Sequence, residues 1–193
     1  MDETTVLILL GFAGVAATLA GFSGVVAVFG RRAHGEWFLE DRFRLTNMLV
    51  TSLGAGLFAF VPLLGVLLHL HGPRNWTVSS LLLCAYCVAY IVKSYPHWQH
   101  LLRLHPGALS PRISVVVSGS FYSAALIQLM NAGSILFHRE PGPYVLGLLL
   151  LLIIAGIQFA LLVLRPLTAH RPHPSHEEES IGKESEAETA HTR

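Results

Sequence analysis

Residues 145–164 read VLGLLLLLIIAGIQFALLVL. Fifteen of these twenty positions are Leu, Ile, Val or Phe, and none is charged. Each such residue contributes roughly −0.3 to −0.6 kcal/mol at a bilayer centre, so together they outweigh the single amide, Gln158. At 1.5 Å per residue, about 20 helical residues match a hydrocarbon core of about 30 Å. The stretch predicts a transmembrane helix.

Four more charge-free intervals precede it. They run over 4–30, 45–68, 75–92 and 113–137, and the stretch itself lies in a fifth, 141–164; the five lengths are 27, 24, 18, 25 and 24 residues. The third, with Ser79, Ser80, Tyr86 and Tyr90, is the shortest, and hydropathy alone leaves it doubtful. The whole composition agrees: 52% of the 193 residues are hydrophobic and 13% charged, about half the charge of a soluble domain. A formal net charge of +1 leaves no basic stripe for nucleic acid. Two cysteines inside one apolar run cannot make a secreted disulfide framework.

Basic residues decide the count of spans and the orientation. With five spans, segments 31–44, 93–112 and 165–193 hold four, three and four Lys or Arg, whereas the opposite side holds only Arg74 and Arg139. The positive-inside rule then places the N-terminus outside and the C-terminus in the cytoplasm. Removing the third span destroys that asymmetry. The expected fold is an all-α membrane protein, a five-transmembrane-helix bundle over residues 1–167. Its helices run over about 5–30, 45–70, 75–93, 112–137 and 143–165. Residues 168–193, rich in Glu, Pro, His and Ser, are expected to form a disordered cytoplasmic tail. Arg31-Arg32 would mark the inner face, with Trp37, Phe38 and Trp98 in the inner aromatic belt and Trp76 in the outer one. The acidic Asp2-Glu3 start and the long first run speak for a retained helix rather than a cleaved signal peptide. Segments 31–45 and 93–112 mix aromatic, Leu and basic residues and are expected to lie along the inner surface.

In the first helix Gly14, Ala17, Gly21 and Gly24 share one face and read as a helix-packing seam. Seams within one bundle are the commoner use; a seam between subunits is the sharper alternative. In the third helix Cys84 and Cys87 have the C-x-x-C spacing of thiol redox chemistry. Buried cysteine is more often simple packing. Tyr86, Tyr90 and Lys93 form a polar face, either lining a crevice or bonding a neighbouring helix while Lys93 snorkels. In the fourth helix Ser120, Ser123, Asn131 and Ser134 share one side, while Ser114, Ser118, Tyr122 and Gln128 share another. Polar groups on both sides predict a helix enclosed by protein, its residues either lining a solute path or serving as interhelical glue. Pro62 predicts a kink in the second helix.

No Asp or Glu falls inside a span, against carboxylate-based proton coupling. The eleven histidines raise a metal or haem site. However, His69, His71 and His138 fall at outer helix ends, His97, His100 and His105 in an inner loop, and His170, His173 and His176 in the tail. No metal and no cofactor are expected. No nucleophile–base pair or phosphate-cradling loop is present, so no enzyme is expected.

The run AGFSGVVAVFGRR (20–32), then Trp37, Asp41 and Arg42, SLGAGLFAFVPLL (52–64) and Trp76 resemble a group of small uncharacterised bacterial membrane proteins. The resemblance covers the first two helices and the start of the third. It implies a multi-pass protein of the bacterial inner membrane and carries no activity. The leading expectation is a non-enzymatic protein acting through helix association with itself, with lipid or with another membrane protein. The alternatives are a small-solute or ion path lined by helix 4 and the Tyr86/Tyr90 face, and a thiol redox protein using Cys84 and Cys87.

Overall fold

The computed structural model describes residues 1–34, 39–104 and 111–168, with side chains placed for 1–28, 42–96, 99 and 115–163. These form five helices: α1 (Glu3–His34), α2 (Leu39–Leu67), α3 (Pro73–Leu104), α4 (Pro111–Gly133) and α5 (Pro141–Thr168). Each holds a stretch of 19 to 26 residues long and apolar enough to cross a bilayer. This is a multi-pass membrane protein.

The distribution of side chains fits lipid rather than water. Leu57, Leu67, Val115 and Ile135 are each more than 60% exposed, while Asn47, Thr51, Ser80, Gln128 and Asn131 are buried. Apolar surface on that scale is unusual in a soluble monomer. In hydrocarbon it costs nothing, whereas the amides and hydroxyls need partners inside.

Helix ends follow local rules. Proline is the first helical residue of α3, α4 and α5, where its missing N–H is one of the four that have no intrahelical partner anyway. Asp2 caps α1: the Thr5 hydroxyl donates to its carboxylate and holds that carboxyl below its ordinary range. Two helices stop in six-to-one turns. Leu70 N–H donates to Gly65 C=O (2.9 Å) after α2, and Ile135 N–H to Met130 C=O (3.2 Å) after α4. The residues that reverse the chain, His69 (φ 61°) and Ser134 (φ 55°), occupy the left-handed region that usually takes glycine.

α2 and α5 are the most enclosed, with 44% of each span buried, and α1 is the least, at 22%. The expectation that α4 is wrapped in protein is corrected. Only one of its faces is buried, through Val117, Phe121, Ala124, Gln128 and Asn131, while Tyr122, Leu126 and Leu129 point outward. Its serines explain the misreading: Ser120 donates to Val116 C=O, one turn back, at 2.8 Å. A serine satisfied by its own helix can face lipid; an amide cannot.

α3 continues past Lys93 and Pro96 to Leu104, so part of the segment expected on the membrane surface extends the helix instead. A charge ends the apolar stretch but not the backbone ladder, and Gln99 Nε2 bonds Tyr95 Oη at 2.7 Å, one turn apart, beyond it. Trp76 is not an interfacial belt residue; it is buried, with its ring centroid 5.8 Å from that of Tyr144. Trp37, Phe38, His105 and the tail with His170, His173 and His176 lie outside the described residues, as do the side chains of Arg31, Arg32, His97, Trp98, His100 and Ser114.

Candidate functional site

Asn75, Ser79, Tyr86, Tyr90 and Lys93 are spaced by four, seven, four and three residues along α3, which puts them on one face. The tyrosines turn that face toward α2. Tyr86 Oη donates to Val50 C=O at 2.7 Å, and Tyr90 Oη donates to Asn47 Oδ1. The Tyr90 ring also stacks on Phe121 of α4, centroids 4.5 Å apart. Lys93, at the end of the stripe, is exposed.

A second polar node sits where α2 passes Pro62. Proline lacks an N–H, so Phe58 C=O, four residues earlier, loses its helical donor. Tyr144 Oη of α5 donates to that carbonyl at 2.6 Å. Asn75 Nδ2 of α3 donates to Pro62 C=O at 2.9 Å. α2 is therefore held at its break by both neighbours.

The third node belongs to α4. Gln128 Nε2 donates to Pro143 C=O at 2.8 Å. Asn131 Nδ2 donates to Ser80 Oγ (2.9 Å) and Glu140 C=O (3.2 Å), while Asn131 Oδ1 accepts from Glu140 N–H (3.2 Å). One amide thus closes the α4–α5 turn and ties it to α3.

Glycine makes room at each node. A Cβ at Gly54 would lie 2.3 Å from Tyr86 Oη, one at Gly65 2.0 Å from Asn75 Oδ1, and one at Gly147 2.3 Å from Gln128 Nε2. None of these distances is compatible with a methyl group, so the polar side chains reach the opposing backbone only because the side chain opposite is missing.

The glycines of α1 behave otherwise. Gly14, Ala17, Gly21 and Gly24 are all exposed, and nothing lies within 4 Å of a Cβ built on Gly14, Gly21 or Gly24. The face that packs on α2 is a different one, carrying Thr5, Leu9, Ala16 and Ser23, with Ala16 Cβ 3.2 Å from a Cβ built on Gly56.

The residues expected to line a path do not gather around one lumen. Gln128 and Asn131 point into the protein, Ser123 and Ser134 point away from it, and Ser120 bonds its own helix. Four buried polar atoms of α3, α4 and α5 have no partner among the described residues: Asn75 Oδ1, Ser79 Oγ, Gln128 Oε1 and Gln158 Oε1. Cys87 is fully buried and Cys84 half-buried, and both are free thiols. Among the described residues no three His, Cys, Asp or Glu side chains stand close enough to hold a metal ion.

Sequence reasoning missed Asn47, Thr51, Asn75 and Tyr144. An amide inside an apolar run was the available signal for Asn47. For Tyr144 it was a proline that orphans a carbonyl on another helix.

No protein-family model matches the chain, and no solved structure is detectably similar. Among curated proteins, the probable transporter MCH1 of Candida glabrata is 25% identical over 126 residues, covering 60% of this chain. The match takes in 24% of that protein's own length, so the chain corresponds to about a quarter of it. The likeness is to a transporter, and it is distant and partial.

Proposed function

We propose that the protein acts without catalysis, through lateral association of α1 with another membrane-spanning chain, in the first instance a second copy of itself. Its setting is the bacterial inner membrane, N-terminus outside and C-terminus in the cytoplasm. One observation carries the reading. The helical glycines at 54, 65 and 147 are filled by side chains of the same molecule, whereas Gly14, Gly21 and Gly24 face open space, and unlike the open Gly119 and Gly156 they recur with Ala17 along one face of one helix. In lipid, where apolar side chains gain nothing by meeting each other, a small-residue face lets backbones approach closely enough for dispersion to hold two helices together.

Replacing Gly21 and Gly24 together by Leu tests this. Native mass spectrometry from lipid nanodiscs should show the oligomeric fraction of the wild type shift to single chains, with the helical circular dichroism retained. A double variant with an unchanged subunit distribution removes the reading.

A second reading has its own support: the partial likeness to a probable transporter and the four buried polar atoms that lack partners. On this reading the α2–α3 seam, with Tyr86, Tyr90, Gln128 and Asn131, is the closed state of a path for a small solute. Proteoliposomes should then pass small polar solutes, and Asn131→Leu should reduce the flux several-fold. Vesicles no leakier than protein-free ones decide against it.

A further inference from the structure

Arg74, in the first turn of α3, and Arg139, in the α4–α5 turn, are the only Lys or Arg at that end of the bundle. They are 65 positions apart in sequence, yet they line one open cleft of about 550 Å³ with His69, Leu70, His71 and Pro73. That volume is within the range of small-molecule sites.

Two features give the cleft a positive character. Arg139 Nε is buried and has no acceptor among the described residues. The first turn of α3, Pro73 and Arg74, forms part of the wall. Its leading N–H groups have no intrahelical partner, and Gly72 before it has no side chain to cap them. The His71 ring folds back on its own turn, its Nδ1 donating to His69 C=O at 2.7 Å. Glu140, the one acidic residue of the two turns, is exposed and does not line the cleft.

Depth selects the ligand. The apolar spans end at Leu67 and Gly133 and begin again at Pro73 and Pro141, so the cleft lies where the hydrocarbon stops and headgroup phosphates begin. Guanidinium forks match the oxygens of a phosphate and hold it by paired charge-assisted bonds.

The geometry points to a phosphate-binding site at this cleft, formed by Arg74 and Arg139 with the His69–His71 turn and occupied by the phosphate of an anionic lipid headgroup or of a small solute. The site is independent of the association proposed for α1 and lies on different helices.

Two arms distinguish the sources. In the first, the full chain in nanodiscs of mixed phosphatidylglycerol and phosphatidylcholine is released into a mass spectrometer and retained lipid is counted. In the second, inorganic phosphate is titrated onto the chain in pure phosphatidylcholine discs. Retention of phosphatidylglycerol over phosphatidylcholine assigns the lipid; saturable phosphate binding in the second arm assigns the solute. In either case Arg74→Gln and Arg139→Gln should each weaken binding about fivefold, and Lys93→Gln, on the far end of α3, should leave it unchanged. Arg74→Lys and Arg139→Lys keep the charge but not the fork and should bind more weakly than the wild type and more tightly than the glutamine variants, which covers the event that a glutamine variant misfolds. No lipid preference and no phosphate binding in the wild type, or binding indifferent to both arginines, overturns the site.

Discussion

Pro62 removes one hydrogen bond from α2, and Tyr144 puts one back from another helix. The Phe58 carbonyl is the acceptor in both accounts, so the two residues should be energetically coupled. Tyr144→Phe leaves that carbonyl buried without a donor and should cost stability near the upper end of the ~0.6–1.7 kcal/mol seen for interhelical bonds in membranes. In a Pro62→Ala background, residue 62 again offers an N–H to Phe58, and the same substitution should cost well under half as much. Detergent-induced unfolding of the four proteins in the cycle measures this coupling. Equal costs in both backgrounds mean that the hydroxyl contributes independently of the proline, since phenylalanine keeps the ring that packs against Trp76. The same logic explains Gly54, Gly65 and Gly147, each of which sits under a polar side chain of a neighbouring helix. At these positions glycine is chosen for the missing Cβ, not for backbone freedom, since all three have ordinary helical backbone.

The two helix ends that reverse through non-glycine residues offer a cleaner test of local strain. Ser134 holds φ at 55° with its side chain exposed, in a region that costs an L-residue about 1–2 kcal/mol and glycine nothing. Ser134→Gly should therefore stabilise the fold by about 1 kcal/mol, read as a shifted unfolding midpoint, and Ser134→Val should lower it. Solute flux, should the protein carry any, ought to be indifferent to both, because Ser134 faces away from the interior. Helices of this kind were readable from sequence because their cause is local: an apolar run long enough for the bilayer, bounded by charges, proline or a turn. Their neighbours were not. Tyr86 meets Val50 across 36 residues, and Tyr144 meets Phe58 across 86. A single helical wheel carries no information about which face another helix will fill. α4 shows the consequence, since its wheel places serines and amides alike as polar, although only Gln128 and Asn131 required protein partners. The four small residues of α1 had the same ambiguity; their spacing marked a close-approach face without saying whether the partner lay inside the chain.

Across the molecule, eleven basic residues fall in segments assigned to one side of the membrane and two in those assigned to the other, and that asymmetry has a direct physical reading. Positively charged segments resist translocation, so the positive-inside rule expects the side that holds them to be cytoplasmic. The two exceptions, Arg74 and Arg139, are the pair that line the cleft between the α2–α3 and α4–α5 turns, which gives their presence on the poorer side a reason beyond chance. Orientation can be measured with single cysteines in a background where Cys84 and Cys87 are replaced by Ser. A cysteine at His71 or His138, both exposed, should react with a membrane-impermeant maleimide added to intact cells. A cysteine at Ser110, in the segment with Lys93, Arg103 and Arg112, should react only after the cells are opened. The reverse pattern would invert the bundle and place the arginine cleft in the cytoplasm, where its ligand would be an inner-leaflet lipid or a cytosolic phosphate. Labelling at both sites in intact cells would mean that the α3 span does not cross. It is the least apolar but one of the five, and the hydrogen bonds of Tyr86 and Tyr90 to α2 are what make its polar face tolerable inside the membrane.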